Sequence, residues 1–172
     1  MAPRPFSAVE QLTQQHDVEA FDCGSDAQTL WLRQRAKQAH ASGTSIVYVV
    51  RDVATDQVVA YSALASGSVL ATESPTRVAT GTGGYDIPVV ILTRLGVDVS
   101  AQGCGLGRAL LVHTLRTVDS TADKIGVRAL LIHAETDEAR AFYESQAGFE
   151  RSPTDPLHLF LLMKDLRKAI RQ

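Results

Sequence analysis

The chain has little cysteine: Cys23 and Cys104 are the only two among 172 residues. They lie far apart, and no Cys/His pair has zinc-ligand spacing, so no metal is expected. That thiol usage points to the reducing cytoplasm. No apolar run is long enough to span a bilayer, and the segment Met1 to Phe6 lacks the apolar core of a signal peptide. The expectation is a cytoplasmic protein with no membrane partner. An excess of positive charge is missing too. Seventeen Lys and Arg face nineteen Asp and Glu, a net charge of −2 that excludes a globally basic nucleic-acid binder but not a local basic face. There is no internal repeat, low-complexity tract or linker. With 45% hydrophobic and 21% charged residues, the composition is that of an ordinary globular protein, and the length fits one domain over residues 1–172.

The most informative stretch is Gln102-Gly103-Cys104-Gly105-Leu106-Gly107-Arg108. It follows an apolar run, Ile87 to Val97, and opens a segment of helical periodicity. Glycines at alternate positions let the backbone turn tightly and bring its amides close to a ligand. At a helix N-terminus those amides and the helix dipole favour an anion, and a pyrophosphate fits. The P-loop needs Lys-Ser or Lys-Thr after its last glycine, whereas Gly107 is followed by Arg108-Ala109. The dinucleotide fingerprint needs its third glycine one residue later.

Strand and helix signals alternate along the chain. A first strand is expected over Phe6 to Leu12. A helix follows from an N-cap at Ser25 to about Ala41, with Ala27, Leu30, Trp31 and Gln34 on one face and Gly43 as terminator. Ser45 to Arg51 and Val58 to Leu70 read as paired strands around a turn at Asp52 to Gln57. Glu73 to Pro88 reads as one long irregular loop, and Val89 to Val97 as a central strand. Helical spacing then runs to about Lys124, and Arg128 to Ala134 is a short buried strand. A helix capped by Asp137 reaches Gln146 and is ended by Gly148. Phe149 and Leu157 to Met163 supply two closing strands. This order implies an α/β fold with a mixed sheet.

The pattern Gln102-x-x-Gly105-x-Gly107 resembles the pyrophosphate loop of the GCN5-related N-acetyltransferases (GNAT), and Phe142-Tyr143 with Gly148-Phe149 resembles that family's other signature. Phe21-Asp22-Cys23-Gly24, Arg94-Leu95-Gly96-Val97-Asp98, Gly126 to Leu130 and Ser152-Pro153-x-Asp155-Pro156 are similar to one branch of it. That branch is the toxin half of bacterial toxin–antitoxin pairs, which acetylates the free amine of aminoacyl-tRNA. The resemblance implies a single central mixed sheet flanked by helices and acetyl-CoA as co-substrate. It also implies a tRNA acceptor, a small ribbon-helix-helix antitoxin as partner and a homodimer. Where the branch carries several basic residues before its central strand, this chain offers only Arg77.

Acetyl transfer defines the roles. Backbone amides at Leu95, Gly96 and Val97 would face the thioester oxygen, since preorganised donors there contribute most. Gly96 reads either as a bulge that frees those amides or as a site of backbone crowding. Gln102, Gly103, Cys104, Gly105, Leu106, Gly107 and Arg108 would hold the pyrophosphate, with Cys104 acting through its amide. The amine attacks directly, so no Ser or Cys nucleophile is needed. The leaving thiolate needs an acid, and Tyr143 is the choice, with His133 and Glu135 as the alternative. His16, His40, His113 and His158 are scattered and read as structural. Arg33 and Lys37, sharing a helix face with His40, are candidate contacts for the acceptor together with Arg77. Lys164, Arg167, Lys168 and Arg171 form a second basic stripe that could meet phosphates or an acidic partner segment. Two other readings stay open: an acetyltransferase of a small-molecule or protein amine, and a binding module without chemistry.

Overall fold

The computed structural model describes residues 5–172, so four of the six residues of the N-terminal reading lie outside the described residues. Seven strands are hydrogen-bonded in the order β1-β2-β3-β4-β5-β7-β6, a single mixed sheet. They are β1 (Glu10–Gln11), β2 (Ile46–Arg51), β3 (Val58–Val69), β4 (Ile87–Val97), β5 (Ala129–His133), β6 (Glu150–Arg151) and β7 (His158–Leu162). The helices are α1 (Asp26–Gln34), α2 (Ala36–Ser42), α3 (Thr76–Ala79), α4 (Leu106–Ala122), α5 (Asp137–Gln146) and α6 (Met163–Ile170). β4 and β5 run parallel, and α4 is the crossover that a parallel pair requires. The β1–β2, β2–β3, β5–β7 and β6–β7 pairs are antiparallel. Among the described residues no helix is long and apolar enough to cross a membrane.

The chain divides into two compact units, residues 1–65 with 93–113 and residues 66–92 with 114–172. In the first, β2 and β3 form a hairpin closed by the expected turn, where Asp56 takes φ 60° and the Asp52 carboxylate accepts the Ala54 amide at 2.9 Å. Asp tolerates that left-handed conformation better than most residues. Phe21, Leu32, Ala36, Val47, Val49 and Tyr61 form one cluster of its core, and Val50, Val59, Ala60, Leu106 and Leu110 another. In the second unit, Val78, Ile87, Val89, Ala129, Leu131 and Phe160 pack together.

Several expectations are corrected. The first strand is cut to Glu10–Gln11, with an isolated bridge from Phe6 to Asp52. The helix capped by Ser25 and ended at Gly43 (φ 77°) is broken at Arg35, whose φ of −122° and ψ of −30° leave the helical region. Its buried face is Gln28, Thr29 and Leu32, while Leu30 is exposed. The loop from Glu73 to Pro88 contains α3, held by Arg128, which donates to the carbonyls of Val78, Arg77 and Thr80 at 3.0–3.1 Å. Thr136, not Asp137, caps α5, accepting the Ala139 amide at 3.1 Å, and the helix ends at an extended Ala147. Met163 opens α6 rather than closing a strand.

Candidate active site

β4 ends at Val97, and the chain turns sharply through residues 98–105 into α4. Asp98 is the pivot of that turn. It is buried, its amide donates to the Val59 carbonyl at 2.7 Å, and its carboxylate accepts the amides of Ser100 and Asp22, both at 2.9 Å. The Val99 amide in turn donates to the Asp22 carbonyl at 2.8 Å. The segments Phe21 to Gly24 and Arg94 to Asp98, far apart in sequence, are therefore laced together. The Gln102 side-chain amide braces the loop, donating to the carbonyls of Cys23 (3.2 Å) and Val97 (3.0 Å).

Gly103 and Gly105 take φ of 79° and 83°, the left-handed region that glycine enters without cost, and a Cβ at either would meet open space. Backbone conformation, not crowding, therefore demands glycine here. Among the described residues no backbone carbonyl accepts from the amides of Gly103, Cys104, Gly105, Leu106, Gly107 or Arg108; the first helical bond here runs from Ala109 to the Gly105 carbonyl at 3.0 Å. A turn with unpartnered amides, open space over its glycines and a 17-residue helix behind it fits a pyrophosphate. The Cys104 thiol is exposed, and it donates to the Gln102 carbonyl at a long 3.9 Å.

Gly96 answers to crowding. A Cβ there would lie 3.2 Å from Cε1 of Tyr61 and 3.3 Å from Sγ of Cys23. Tyr61 cannot yield, because it is fully buried and its hydroxyl donates to the Gln28 carbonyl at 2.7 Å. Overpacking of this kind costs about 1–3 kcal/mol. Gly96→Ala is expected to lower unfolding free energy by about that amount in urea titrations; an unchanged midpoint would show that the neighbours can move aside. The same corner holds a cluster that sequence reading missed. Arg94 sits 4.9 Å over the Trp31 ring and donates to the Gln28 side chain at 3.3 Å, and Trp31 stacks on Tyr61 at 6.0 Å. Its only signal in the sequence was the Arg94-to-Asp98 motif.

Tyr143 lies on α5 with its ring buried, in edge contact with Phe149 at 6.4 Å and beside Phe142 at 5.3 Å. Its hydroxyl has no hydrogen-bond partner among the described residues. Burial pushes the phenol well above the ordinary tyrosine range, so the group stays protonated at any working pH. His133 is stacked on His158, 4.1 Å between centroids and directly opposite it in the β5–β7 register. The two line a cavity of about 370 Å³ with Glu73, Asp155, Leu131 and Phe160. Burial, then the neighbouring His158, holds the His133 imidazole below the usual histidine value. Glu135 is exposed in the loop before α5.

Each candidate acceptor contact has a partner within its own unit. Arg33 and Lys37 fall on different helices across the break at Arg35. Arg33 donates to the Phe21 carbonyl at 2.8 Å and Lys37 to the Gln14 carbonyl at 2.9 Å. His40 accepts the Val47 amide. Arg77 is ion-paired with Asp165 at 2.7 Å and Glu150 at 2.8 Å. Among the described residues no His, Cys, Asp or Glu cluster could hold a metal.

The sequence model of the acetyltransferase (GNAT) family matches residues 10–149. The chain belongs to that family. As a GNAT protein it is an N-acetyltransferase, and the co-substrate is acetyl-CoA. It is 45% identical to a tRNA-acetylating toxin of Mycobacterium tuberculosis (strain ATCC 25618 / H37Rv) over 96% of this chain and 97% of that one. Among solved structures it is similar to AtaT complexed with acetyl-methionyl-tRNAfMet, with a TM-score of 0.85 and 27% identity over 95% of this chain and 98% of that one. It is similar as well to an AtaT toxin with a tyrosine-to-phenylalanine substitution, bound to the C-terminus of the antitoxin AtaR and acetyl-CoA. There the TM-score is 0.80 and the identity 26%, over 98% of this chain and 99% of that one. The α/β expectation and the GNAT fold are thus borne out.

Proposed function

We propose that this GNAT enzyme is the toxin of a toxin–antitoxin pair and transfers the acetyl group of acetyl-CoA to the α-amine of an amino acid esterified to tRNA. The observation that carries the reading is the 45% identity, over nearly the full length of both chains, to a toxin named for acetylating tRNA. The chemistry is consistent with it. An amine beside an ester is less basic than that of a free amino acid, so much of it is an uncharged nucleophile near neutral pH. The demand on this chain is then for positioning, for donors at the thioester oxygen and for a proton at the leaving sulfur. In this reading the amides of residues 103–108 bind the pyrophosphate, and Arg108 adds charge at the first turn of α4. The strand amides at Leu95, Gly96 and Val97 face the thioester; the Tyr143 hydroxyl gives its proton to the leaving sulfur and is restored by the proton that the attacking nitrogen loses as the amide forms. A small ribbon-helix-helix antitoxin, a homodimer and a cytoplasmic setting complete the proposal.

The test is incubation of the enzyme with labelled acetyl-CoA and a mixed pool of charged tRNA, with deacylated tRNA as control. Label is expected in the charged RNA alone. Label in a small amine or a protein, with the RNA fraction blank, would replace this acceptor with the other acetyltransferase reading.

A further inference from the structure

α6 buries Met163 and Leu166 and leaves Lys164, Lys168 and, just past its end, Arg171 exposed. Their i, i+4, i+7 spacing puts the three on one stripe, with successive Cβ atoms roughly 5–6 Å apart. With Gly126, Val127 and Gln172 they line a groove of about 1000 Å³.

Among the described residues the stripe has no direct ion pair, although the Asp165 carboxylate lies close enough to feel the charges of Lys164 and Lys168. Arg167, on the same helix, is held by Asp119 at 3.1 Å and Asp123 at 3.5 Å. Asp165 is taken by Arg77, and Arg128 on the groove wall gives its donors to backbone carbonyls. Among the described residues no carboxylate stands within ion-pair distance of Lys164, Lys168 or Arg171. Arg77 and Arg167 between them face four carboxylates, Asp165, Glu150, Asp119 and Asp123, so these acids are only half neutralised. The groove lining itself carries Arg128, Lys164, Arg167, Lys168 and Arg171 and no acidic side chain, on a chain whose net charge is −2. Such a local concentration against an acidic background is the electrostatic footprint of a polyanion site. Of the other candidate cations, Arg77 is paired with Asp165 and Glu150, whereas Arg33 and Lys37 each donate to one backbone carbonyl and keep their charge.

We propose that this groove carries the phosphate backbone of the acceptor RNA. The inference rests on the aminoacyl-tRNA reading given above. Two ammonium point charges and one guanidinium fork contact phosphates and read no base, so the groove fixes where the RNA lies without selecting its sequence. Binding through it is steeply salt-dependent, because each neutralised phosphate releases counterions.

The experiment compares wild type with two triple variants, Lys164→Glu/Lys168→Glu/Arg171→Glu and the neutral Lys164→Gln/Lys168→Gln/Arg171→Gln. The side chains are exposed, so the fold is expected to tolerate both, and melting curves check this. Binding of uncharged tRNA is followed by anisotropy across a salt series, and acetylation of charged tRNA by label transfer. Each lost phosphate contact flattens the log K against log salt slope by about 0.9, so both variants should flatten it by about 2–3. The Glu variant should also raise KM for charged tRNA at least about tenfold, while acetyl-CoA affinity stays unchanged. A neutral variant with wild-type slope and affinity, in an enzyme that does acetylate tRNA, overturns the groove and leaves the function intact. Wild type that binds tRNA through the stripe but puts no label into it leaves the groove standing and overturns the function. Stripe-dependent binding of a polyglutamate peptide, with no tRNA binding, overturns RNA as the occupant. Should the triple variants melt early, Lys168→Gln alone carries the test, with an expected slope change of about 1.

Discussion

Gly105→Asp is expected to abolish acetyl-CoA binding in calorimetry. Two effects act at this position and can be told apart. Gly105 has φ 83°, so any L-residue there carries backbone strain, about 1–2 kcal/mol for a residue such as alanine. Aspartate tolerates the left-handed region better than alanine does. The second effect belongs to aspartate alone: a carboxylate in a turn whose amides are set to receive phosphate. A like charge about 4 Å away costs about 4 kcal/mol near a protein surface, roughly a thousandfold in Kd. If strain were the dominant effect, Gly105→Ala would be the worse variant. If the loop is an anion cradle, Gly105→Ala keeps measurable affinity and Gly105→Asp keeps none. Wild-type affinity in both would show that the pyrophosphate lies elsewhere.

That loop was legible in the sequence because its signal is local. Alternate glycines between an apolar strand and a periodic helix admit few backbone paths, and two of the three adopt the positive φ that glycine alone takes freely. The hairpin of β2 and β3 was legible for a similar reason, as β-branched runs flank a turn rich in Asp. What escaped depends on partners distant in the chain. The break at Arg35 has no Gly or Pro to announce it. The inner face of α1 was misjudged because Gln28 and Thr29 are buried for their polar atoms. The Gln28 side-chain oxygen accepts from the Tyr61 hydroxyl at 3.2 Å and from Arg94 at 3.3 Å, and the Thr29 hydroxyl accepts the Cys23 amide at 3.1 Å. A pattern of apolar residues cannot report a polar residue wanted inside. Basic residues pose the same difficulty. Arg33, Lys37 and Arg77 look available in the sequence, and so do Lys164, Lys168 and Arg171. Only the tertiary structure separates those tied to carbonyls and carboxylates from those left facing outward. The backbone of the glycine loop was therefore easier to read than the pairing of surface charges.

Tyr143→Phe should lower kcat by about 10²–10⁴ while leaving acetyl-CoA affinity nearly intact, which is the usual size of a general acid's contribution. The substitution removes one oxygen and keeps the ring that packs against Phe142 and Phe149. Because the hydroxyl has no partner among the described residues, its loss leaves no donor or acceptor stranded, and melting temperature should not fall. A slow, well-folded variant with normal cofactor binding would therefore locate the defect in the chemical step. The pH profile supplies an independent check. Burial raises the Tyr143 phenol, so a wild-type enzyme relying on it should show no loss of rate from tyrosine ionisation as pH rises through neutrality. His133 predicts the opposite limb. Burial lowers its imidazole below the usual value, so as an acid it would already be losing its proton, and the rate would fall, as pH rises through the acidic side of neutrality. A variant within about twofold of wild type in single-turnover assays, together with such a falling limb, would transfer the acid role from Tyr143 to His133; without that limb the role would pass to Glu135 or to water.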